Sequence, residues 1–420
     1  HGWSFDGDGL CRRIPQAATP CPAERQARHL AATSLPVREA VGLLWLWPDP
    51  ASAALAEATP LPLSPFVDAA EGFRWSSFVR ELPYDWRTLI ENVADPAHVP
   101  FAHHGIQGDR RRAGPIPLQL REQSARRIVA EVSSRAIAMH TTIVFQPPSL
   151  LEYRFTFPGN RRMGLITYGL PVAPGRCRLV AQFSRDWSSP WWQWRPRWWD
   201  HLFNRNEVLD GDLLMLVEQE RELARRGSDG HRADWRQAYR LPTSSDRLVI
   251  AFQHWLERHG GPDWEALLAG GAAEASGRQA IVSRQGSAAE PGPSAGSAAS
   301  GVAEGAAGIG SGQRQSAFRA SSIAAAPPAS SRQLLDRHQQ HTQHCASCRQ
   351  ALAWTRRLQG IGLLLFVLSL AAAALLPDAA RLPLGLPLLL LGLVGLAAAA
   401  GLRFGLEPWF RYRPYDHTRR

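Results

Sequence analysis

The chain has 420 residues, which is enough for two or three domains, and a formal net charge of +10 with 47 basic residues. A basic charge is common in nucleic-acid-binding proteins, but these basic residues are scattered rather than gathered in a stripe, so nucleic acid is not an expected partner. The cysteines are too few and too unevenly spaced for a secreted fold built on disulfides. They are Cys11, Cys21, Cys177, Cys345 and Cys348.

Short apolar segments separated by turn residues fill residues 1–60 and predict a small β domain. The letters DGDG at Asp6–Gly9 predict a hairpin turn, and VGLLWLW before Pro48 predicts a strand. Nothing in the spacing of Cys11 and Cys21 indicates a ligand role, so we interpret both as structural or incidental.

The middle of the chain predicts a mixed helical and sheet domain. Residues 84–104 predict a helix followed by a break. From residue 117 to 187, apolar and polar residues alternate with period two, which is typical of antiparallel strands. Residues 204–226 predict a long helix, acidic near its start and basic at its end, as the helix dipole prefers. The expected fold class is therefore α+β.

The last 150 residues change in character. Residues 268–331 are mainly Ala, Ser and Gly and predict a disordered linker, because they offer too little apolar surface to bury. Two apolar runs, 360–376 and 382–402, are each near the length that spans a bilayer and predict a transmembrane hairpin within residues 358–403. Arginines flank both runs, which by the positive-inside rule predicts that the bulk of the chain faces the cytoplasm or stroma.

The stretch NVADPAHVPFAHHG, residues 92–105, contains three of the chain's 14 histidines. Asp95 and His98 would share one helix face, so Asp95 could orient the His98 ring. His98 and His103 are about 140° apart on an ideal helix, so we expect Pro100 to break the helix and let the rings converge. Two histidines and a carboxylate are the ligands of non-haem Fe(II) sites. The alternative is that the histidines cap a helix end at the surface.

The surrounding letters, ENVADPAHVPFAHHG, resemble the mononuclear-iron motif of Rieske oxygenases, E-N-x-x-D-x-x-H-x4-H. HGWSFDGDG at the start resembles the segment that follows the second pair of Rieske cluster ligands. The resemblance implies that His1 is the last cluster ligand and that the other ligands precede this fragment. It also implies two cofactors, a Rieske [2Fe-2S] cluster and a mononuclear Fe(II) held by His98 and His103.

The third iron ligand implied by the resemblance is a carboxylate on the long helix, in a pattern such as D-x-x-x-L-x-x-Q-E. DLLMLVEQE matches from Asp212, with Asp210 the next candidate and Glu207 a more distant one. In the family, the residue matching Asp95 carries electrons from the cluster to the iron of a neighbouring subunit in a trimer. The resemblance therefore implies a catalytic role for Asp95 and a homotrimer.

The motif HCASC before the apolar runs, together with LPTSSDRLVIAFQHW at 241–255, resembles the pheophorbide a oxygenase group. In that group, Cys345 and Cys348 would be a redox pair for a thioredoxin-like partner. From the residues alone two other interpretations remain. The thiols have zinc-like spacing with His338 and His341, or they are idle.

The segment WSSPWWQWRPRWW, residues 187–199, has five tryptophans among Trp191–Trp199. They predict a belt at the membrane interface or, as a less favoured alternative, a wall for a large flat substrate.

The resemblance as a whole implies a membrane-anchored oxygenase in a cyanobacterial or plastid-type membrane. It would oxidise a chlorophyll-derived tetrapyrrole such as pheophorbide a, using O2 and a ferredoxin-like electron donor. Two alternatives are an oxygenase for another apolar substrate and a membrane Rieske electron carrier. The expected order is part of a Rieske domain (1–60), a helix-grip-like catalytic domain (70–265), the linker (268–331), the Cys-x-x-Cys segment (332–357) and the hairpin (358–403).

Overall fold

The described parts of the chain form two units, His1–Ala70 and Glu71–Arg420. The structure is a computed structural model that describes residues 2–19, 21–22, 24–134, 139–173, 175–187, 194–227, 233–259 and 330–416. His1 and residues 268–329 of the predicted linker lie outside these ranges, so both predictions stay predictions.

The first unit contains two short hairpins. In the first, the Asp6 side chain accepts a hydrogen bond from the Leu10 N–H at 2.8 Å, and Gly9 has a φ of +82°. A Cβ at Gly9 would lie 2.2 Å from the Ala32 carbonyl oxygen, so only glycine suits this turn. The predicted DGDG hairpin is confirmed. The elements are β1 Ser4–Phe5, β2 Cys11–Arg13, α1 Glu24–His29, β3 Val37–Ala40, β4 Leu43–Leu46 and α2 Leu55–Ala58.

The second unit is built on a seven-stranded antiparallel sheet with the order β5-β11-β10-β9-β8-β7-β6. The alternating segments between 117 and 187 supply six of its strands, as predicted. The seventh, β5, was not predicted, and it pairs with β11 from Leu82↔Cys177 to Arg74↔Arg185. The strands are β5 Arg74–Leu82, β6 Leu118–Gln123, β7 Ile128–Ser134, β8 Met139–Gln146, β9 Leu150–Phe157, β10 Arg161–Ala173 and β11 Arg176–Arg185.

Helices pack on one face of this sheet. Phe252 and Trp255 of the amphipathic helix after residue 246 pack on Phe145 of β8, and the Tyr153 hydroxyl donates to the Val93 carbonyl at 2.7 Å. Leu213 and its neighbours cover the β5–β11 end. The helices are α3 Trp86–Ala94, α4 Val99–Ala102, α5 Arg197–Asp200, α6 Asn206–Arg226, α7 Trp235–Ala238, α8 Arg247–His259 and α9 Ser331–Leu334, and a π-helical turn, His201–Arg205, joins α5 to α6.

Two long apolar helices end the described chain, α10 Ala346–Ala374 and α11 Asp378–Arg411. Both are long and apolar enough to cross a membrane by length and composition. They cross at small residues: a Cβ at Gly362 would lie 2.5 Å from the Gly395 carbonyl oxygen. Most of their leucines are exposed, which is unlike a helix pair from the core of a soluble protein.

Candidate metal centre

The predicted helix around residue 95 is interrupted earlier than the sequence indicated. Helix α3 ends at Ala94, and Asp95 is extended, with φ −98° and ψ 101°. Asp95 precedes Pro96, and a residue before proline is disfavoured in the helical region. Pro100 instead lies in the first turn of α4, where its missing N–H costs nothing. The expectations that Pro100 breaks the helix, and that Asp95 and His98 share one helix face, were therefore wrong.

The interruption brings both histidines to the same place, opposite α6. His98 Nε2 lies 3.2 Å from His103 Nε2. Asp212 Oδ1 lies 3.5 Å from His103 Nε2 and 3.9 Å from His98 Nε2. Two ligands about 2.1 Å from one ion are about 3.0 Å apart at a right angle and about 3.4 Å apart at a tetrahedral angle. The separations of 3.2 and 3.5 Å are close to this range, and 3.9 Å corresponds to a wider angle at the ion, so all three residues can reach one metal ion.

The surroundings of Asp212 also fit a cation. His103 and Asp212 are buried, and Oδ1 of Asp212 has no hydrogen-bond partner within the described chain. Burial raises the pKa of Asp212 to about 6, while nearby His98 and a hydrogen bond with Asn92 act in the opposite direction. A buried carboxylate oxygen facing two imidazole nitrogens needs a positive partner. A mononuclear iron ion fits this set of donors.

Asp95 offers two different groups to the site. Its backbone carbonyl oxygen accepts a hydrogen bond from Nδ1 of His98. Its carboxylate accepts from the Ala97 N–H at 2.8 Å, lies 4.0 Å from His98 Nδ1 and is 31% exposed. The orienting contact to His98 is therefore a main-chain contact, and the carboxylate is left for another role.

The other two acidic candidates are held by arginines. Asp210 lies 2.6 Å from Arg80 and 2.7 Å from Arg337, and all three side chains are fully buried. Glu207 is paired with Arg337. Of the three acids considered, only Asp212 faces the histidines. The third histidine of the stretch, His104, accepts the Arg110 N–H at 3.2 Å and is not part of the cluster.

Asn92 and Gly211 are site residues that the sequence reasoning missed. Asn92 hydrogen-bonds Asp212. Gly211 allows α6 to approach α4, because a Cβ there would lie 2.9 Å from the Ala102 carbonyl oxygen. Asn92 belongs to the quoted motif, whereas no local signal marks Gly211, since the contact it allows is with a distant segment.

Cys345 and Cys348 lie in a second cluster with His341 and His201. His338, the other zinc candidate in the sequence, is not a member, and His201 from the turn before α6 takes its place. No motif pointed to His201, because it is more than 130 residues from the other three.

The predicted tryptophan cluster is described only in part, because Trp191 and Trp192 lie outside the described residues. Trp194 is 86% exposed, and Trp199 packs on Phe203 with ring centroids 4.6 Å apart. Trp198 packs beside Phe410, near the base of the apolar helices. This position favours the belt interpretation.

Comparisons with known proteins show which oxygenases this chain resembles. The family model for pheophorbide a oxygenase matches residues 145–229. The chain is 34% identical to pheophorbide a oxygenase of Oryza sativa subsp. japonica over 284 residues, which cover 63% of this chain and 53% of that protein. The chain is thus similar to the pheophorbide a oxygenase group. The chain is also similar to flavonoid 8-hydroxylase 2 of Ocimum basilicum. The two are 30% identical over 63% of this chain and 54% of that protein.

The chain thus spans about half the length of the curated relatives it matches. A solved structure of dicamba monooxygenase bound to 3,6-dichlorosalicylic acid is also similar, with a TM-score of 0.48 and 20% identity over 64% of this chain and 79% of that one.

Proposed function

We propose that this protein is a membrane-anchored Rieske-type oxygenase that oxidises a chlorophyll-derived tetrapyrrole such as pheophorbide a. The single observation that carries the proposal is the convergence of His98, His103 and Asp212 on one point. The names of its relatives support the tetrapyrrole as substrate. O2 and a ferredoxin-like donor belong to the same proposal, as does a homotrimer.

His98, His103 and Asp212 would hold an Fe(II) ion, which would supply the chemistry of O2 activation. The residues of this chain would hold and orient that ion. The Asp95 carbonyl keeps the proton of His98 on Nδ1, which leaves Nε2 free to bind metal. Asn92 holds one carboxylate oxygen of Asp212, so that the other faces the histidines. We assign the Asp95 carboxylate to electron delivery, with His1 as the last cluster ligand.

The proposed architecture follows the same order. Residues 1–60 would be part of a Rieske domain, and the sheet with its long helices would be a helix-grip-like catalytic domain over 70–265. The segment 332–357 would join it to a transmembrane hairpin over 358–403, with the catalytic part on the cytoplasmic or stromal side of a cyanobacterial or plastid-type membrane. The exposed leucines of α10 and α11 support the hairpin.

A second candidate is an oxygenase for another apolar substrate, and the similarity to a flavonoid 8-hydroxylase favours it among the alternatives. A membrane Rieske electron carrier is a poorer fit, because a carrier needs no second metal site. The two substrate proposals are distinguished by titrating the purified protein with pheophorbide a or with a flavonoid. Quenching of tryptophan fluorescence reports the binding.

The metal assignment is tested by anaerobic loading with Fe(II) and detection of the nitrosyl adduct by EPR. His98→Ala, His103→Ala and Asp212→Ala should each lose the signal. Asp210→Asn is the matched control: it should keep the signal but lose about 3–5 kcal/mol of stability, because it leaves buried arginines without their partner. If Asp210→Asn loses the signal and Asp212→Ala keeps it, the third ligand is Asp210 and not Asp212.

A further inference from the structure

The second cluster joins two distant parts of the chain around a small buried space. His341 Nε2 lies 3.3 Å from Cys348 Sγ. His201 Nδ1 lies 3.5 Å from Cys345 Sγ and 3.5 Å from Cys348 Sγ. One ligand atom from each of the four residues lies within 4.8 Å of all the others. His201, His341 and Cys348 are buried, and Cys345 is partly buried.

The His341 ring is held in the orientation that a metal ligand requires. Its Nδ1 lies 2.6 Å from the Val79 carbonyl oxygen, so this nitrogen carries the proton and donates it. Its Nε2, which faces Cys348, is therefore unprotonated. Phe78 stacks on the ring with centroids 4.4 Å apart. A backbone carbonyl that accepts from the far nitrogen is the usual support of a metal-bound histidine.

Among the residues that the structure describes, the His201 ring makes hydrogen-bonding contacts on one side only. Its Nδ1 faces both sulfurs, whereas its Nε2 is buried without a hydrogen-bond partner in the described chain. Phe78 meets this ring edge-on at 5.1 Å. Within the described chain, the hydrogen-bonding contacts of this imidazole are thus with the two thiols.

The separations match a four-coordinate site. With metal–sulfur bonds of about 2.3 Å and metal–nitrogen bonds of about 2.05 Å, a tetrahedral ion places sulfur and nitrogen about 3.6 Å apart. The three observed sulfur–nitrogen separations are 3.3, 3.5 and 3.5 Å. Two thiolates and two imidazoles in a tetrahedron are the donor set of structural zinc.

We infer that His201, His341, Cys345 and Cys348 form a structural zinc site, separate from the iron centre. This inference goes beyond the proposed oxygenase function and does not depend on it. Binding replaces two thiol protons with one Zn²⁺ ion, and those protons are released to solvent with no change of oxidation state.

A simple redox pair leaves part of this geometry unexplained. Cys348 is fully buried, so only the partly buried Cys345 could meet the thiol of a partner protein directly. In a disulfide the two sulfurs would carry neither a proton nor a negative charge. The two buried imidazoles would then face them without a favourable hydrogen bond or ion pair. Zinc accounts for all four residues at once.

The position of the site indicates what it does. His201 begins the turn that leads directly into α6, which carries Asp212. Cys348 lies in the first turn of α10, the first apolar helix. The ion would fasten the base of the membrane hairpin to the helix that supplies the iron carboxylate.

The first test is metal analysis of the full-length protein purified anaerobically in detergent. We expect about one equivalent of zinc per chain, which Co²⁺ replaces with the visible bands of a four-coordinate thiolate site. His201→Ala and Cys345→Ser should lower zinc retention at least about tenfold. His344→Ala is the matched control, because His344 adjoins Cys345 but is outside the cluster, and it should retain zinc.

A second test needs no variant and therefore does not depend on whether the variants fold. Iodoacetamide should leave Cys345 and Cys348 of the wild-type protein unmodified until a chelator removes the zinc, and peptide mass analysis reads the two sites. Equal alkylation before and after chelation, or a Cys345–Cys348 disulfide in place of zinc, overturns the inference. The Fe(II) nitrosyl signal is read in the same samples, so a missing iron site and a missing zinc site are distinguished.

Discussion

Asp95 shows how one residue can serve a metal site through two separate groups. The backbone carbonyl orients His98, so this contact survives any change of the side chain. The partly exposed carboxylate makes no direct contact with His98 Nδ1, at a separation of 4.0 Å. Burial raises the pKa of this carboxyl above its ordinary value, and the nearby His98 acts in the opposite direction.

We therefore predict that Asp95→Asn retains Fe(II) and its nitrosyl signal but loses turnover by about 100-fold, the scale of removing one well-placed polar group from a catalytic path. Stability should fall by at most about 1 kcal/mol. Single-turnover product analysis measures the effect. Asp109→Asn, which removes a nearby carboxylate outside the cluster, should leave turnover unchanged, and normal turnover in Asp95→Asn would exclude electron delivery through this residue.

At the scale of elements, the proposed iron site depends on the close approach of α6 to α4. Gly211 lies at the contact, where an added Cβ would meet the backbone oxygen of Ala102 and the hydroxyl of Tyr415, each at 2.9 Å. The Ala102 carbonyl belongs to the segment His98–His103, so it cannot move unless that segment moves. The distance between the histidines and Asp212 is thus set by a residue that binds nothing itself.

Gly211→Ala should destabilise the protein by about 1–3 kcal/mol through overpacking. It should also weaken Fe(II) binding about tenfold, because the helix that carries Asp212 is displaced. Thermal unfolding and Fe(II) titration measure the two effects. Gly360→Ala, at a helical glycine whose added Cβ meets no atom within 4 Å, should show neither effect. Unchanged iron affinity in Gly211→Ala would mean that the helix crossing does not position Asp212.

Helix α8 is fastened to α7 by an ion pair that gives a pH dependence. A hydrogen bond from Arg236 lowers the pKa of Glu257 to about 2, and Trp235 Nε1 donates to the same carboxylate at 2.9 Å. Because the folded pKa lies below the ordinary value of 4.5, the stabilisation is present above about pH 4.5 and is lost as pH falls toward 2.

Glu257→Gln should accordingly lower the stability at pH 7 by about 1 kcal/mol and flatten the stability profile between pH 4.5 and 2. Urea unfolding at a series of pH values detects the change. Glu218→Gln removes a more exposed ion pair on α6 and should leave the acid limb of the profile as it is in the wild type. An unchanged profile in Glu257→Gln would show that other carboxylates control the acid limb.

For the whole molecule, the segment after residue 330 packs into the second unit, Glu71–Arg420, and is more than a tether. Arg337 is fully buried between Glu207 and Asp210, and the Thr342 hydroxyl donates to the Phe410 carbonyl at 2.8 Å. At the other end of this segment, Glu407 is paired with Arg356, Arg403 and Arg411. The apolar helices therefore emerge from a base of ion pairs, which are buried around Arg337 and partly exposed around Glu407.

The proposed hairpin predicts that the chain remains in the membrane after alkaline carbonate extraction. Leu368→Arg with Leu391→Arg should release part of it, because each charge near the middle of a span costs about 2.5–3.5 kcal/mol. Both leucines are exposed in the structure, so a soluble protein would tolerate the changes. Gln343→Arg, outside the apolar helices, should leave the extraction unchanged, and equal retention of the double variant would argue against the hairpin.

The sequence by itself determined the features whose signal is local. Period-two alternation predicted an antiparallel sheet over residues 117–187, where six of the seven strands of the large sheet lie, and the amphipathic run at 204–226 predicted α6. Both signals arise because burial of one face imposes its period on the sequence. Asp95, His98 and His103 lie within nine residues, so a short motif could identify them. No local pattern predicted β5, because its partner β11 lies about 100 residues further along the chain.

Only the tertiary structure decided which distant side chains meet. Asp212 rather than Asp210 faces the histidines, because two arginines from other elements, Arg80 and Arg337, hold the carboxylate of Asp210. His201 rather than His338 joins the two thiols, because the sheet and α6 bring it there across more than 130 residues of chain. Such choices depend on long-range packing and buried charge, and neither leaves a periodic pattern in the sequence.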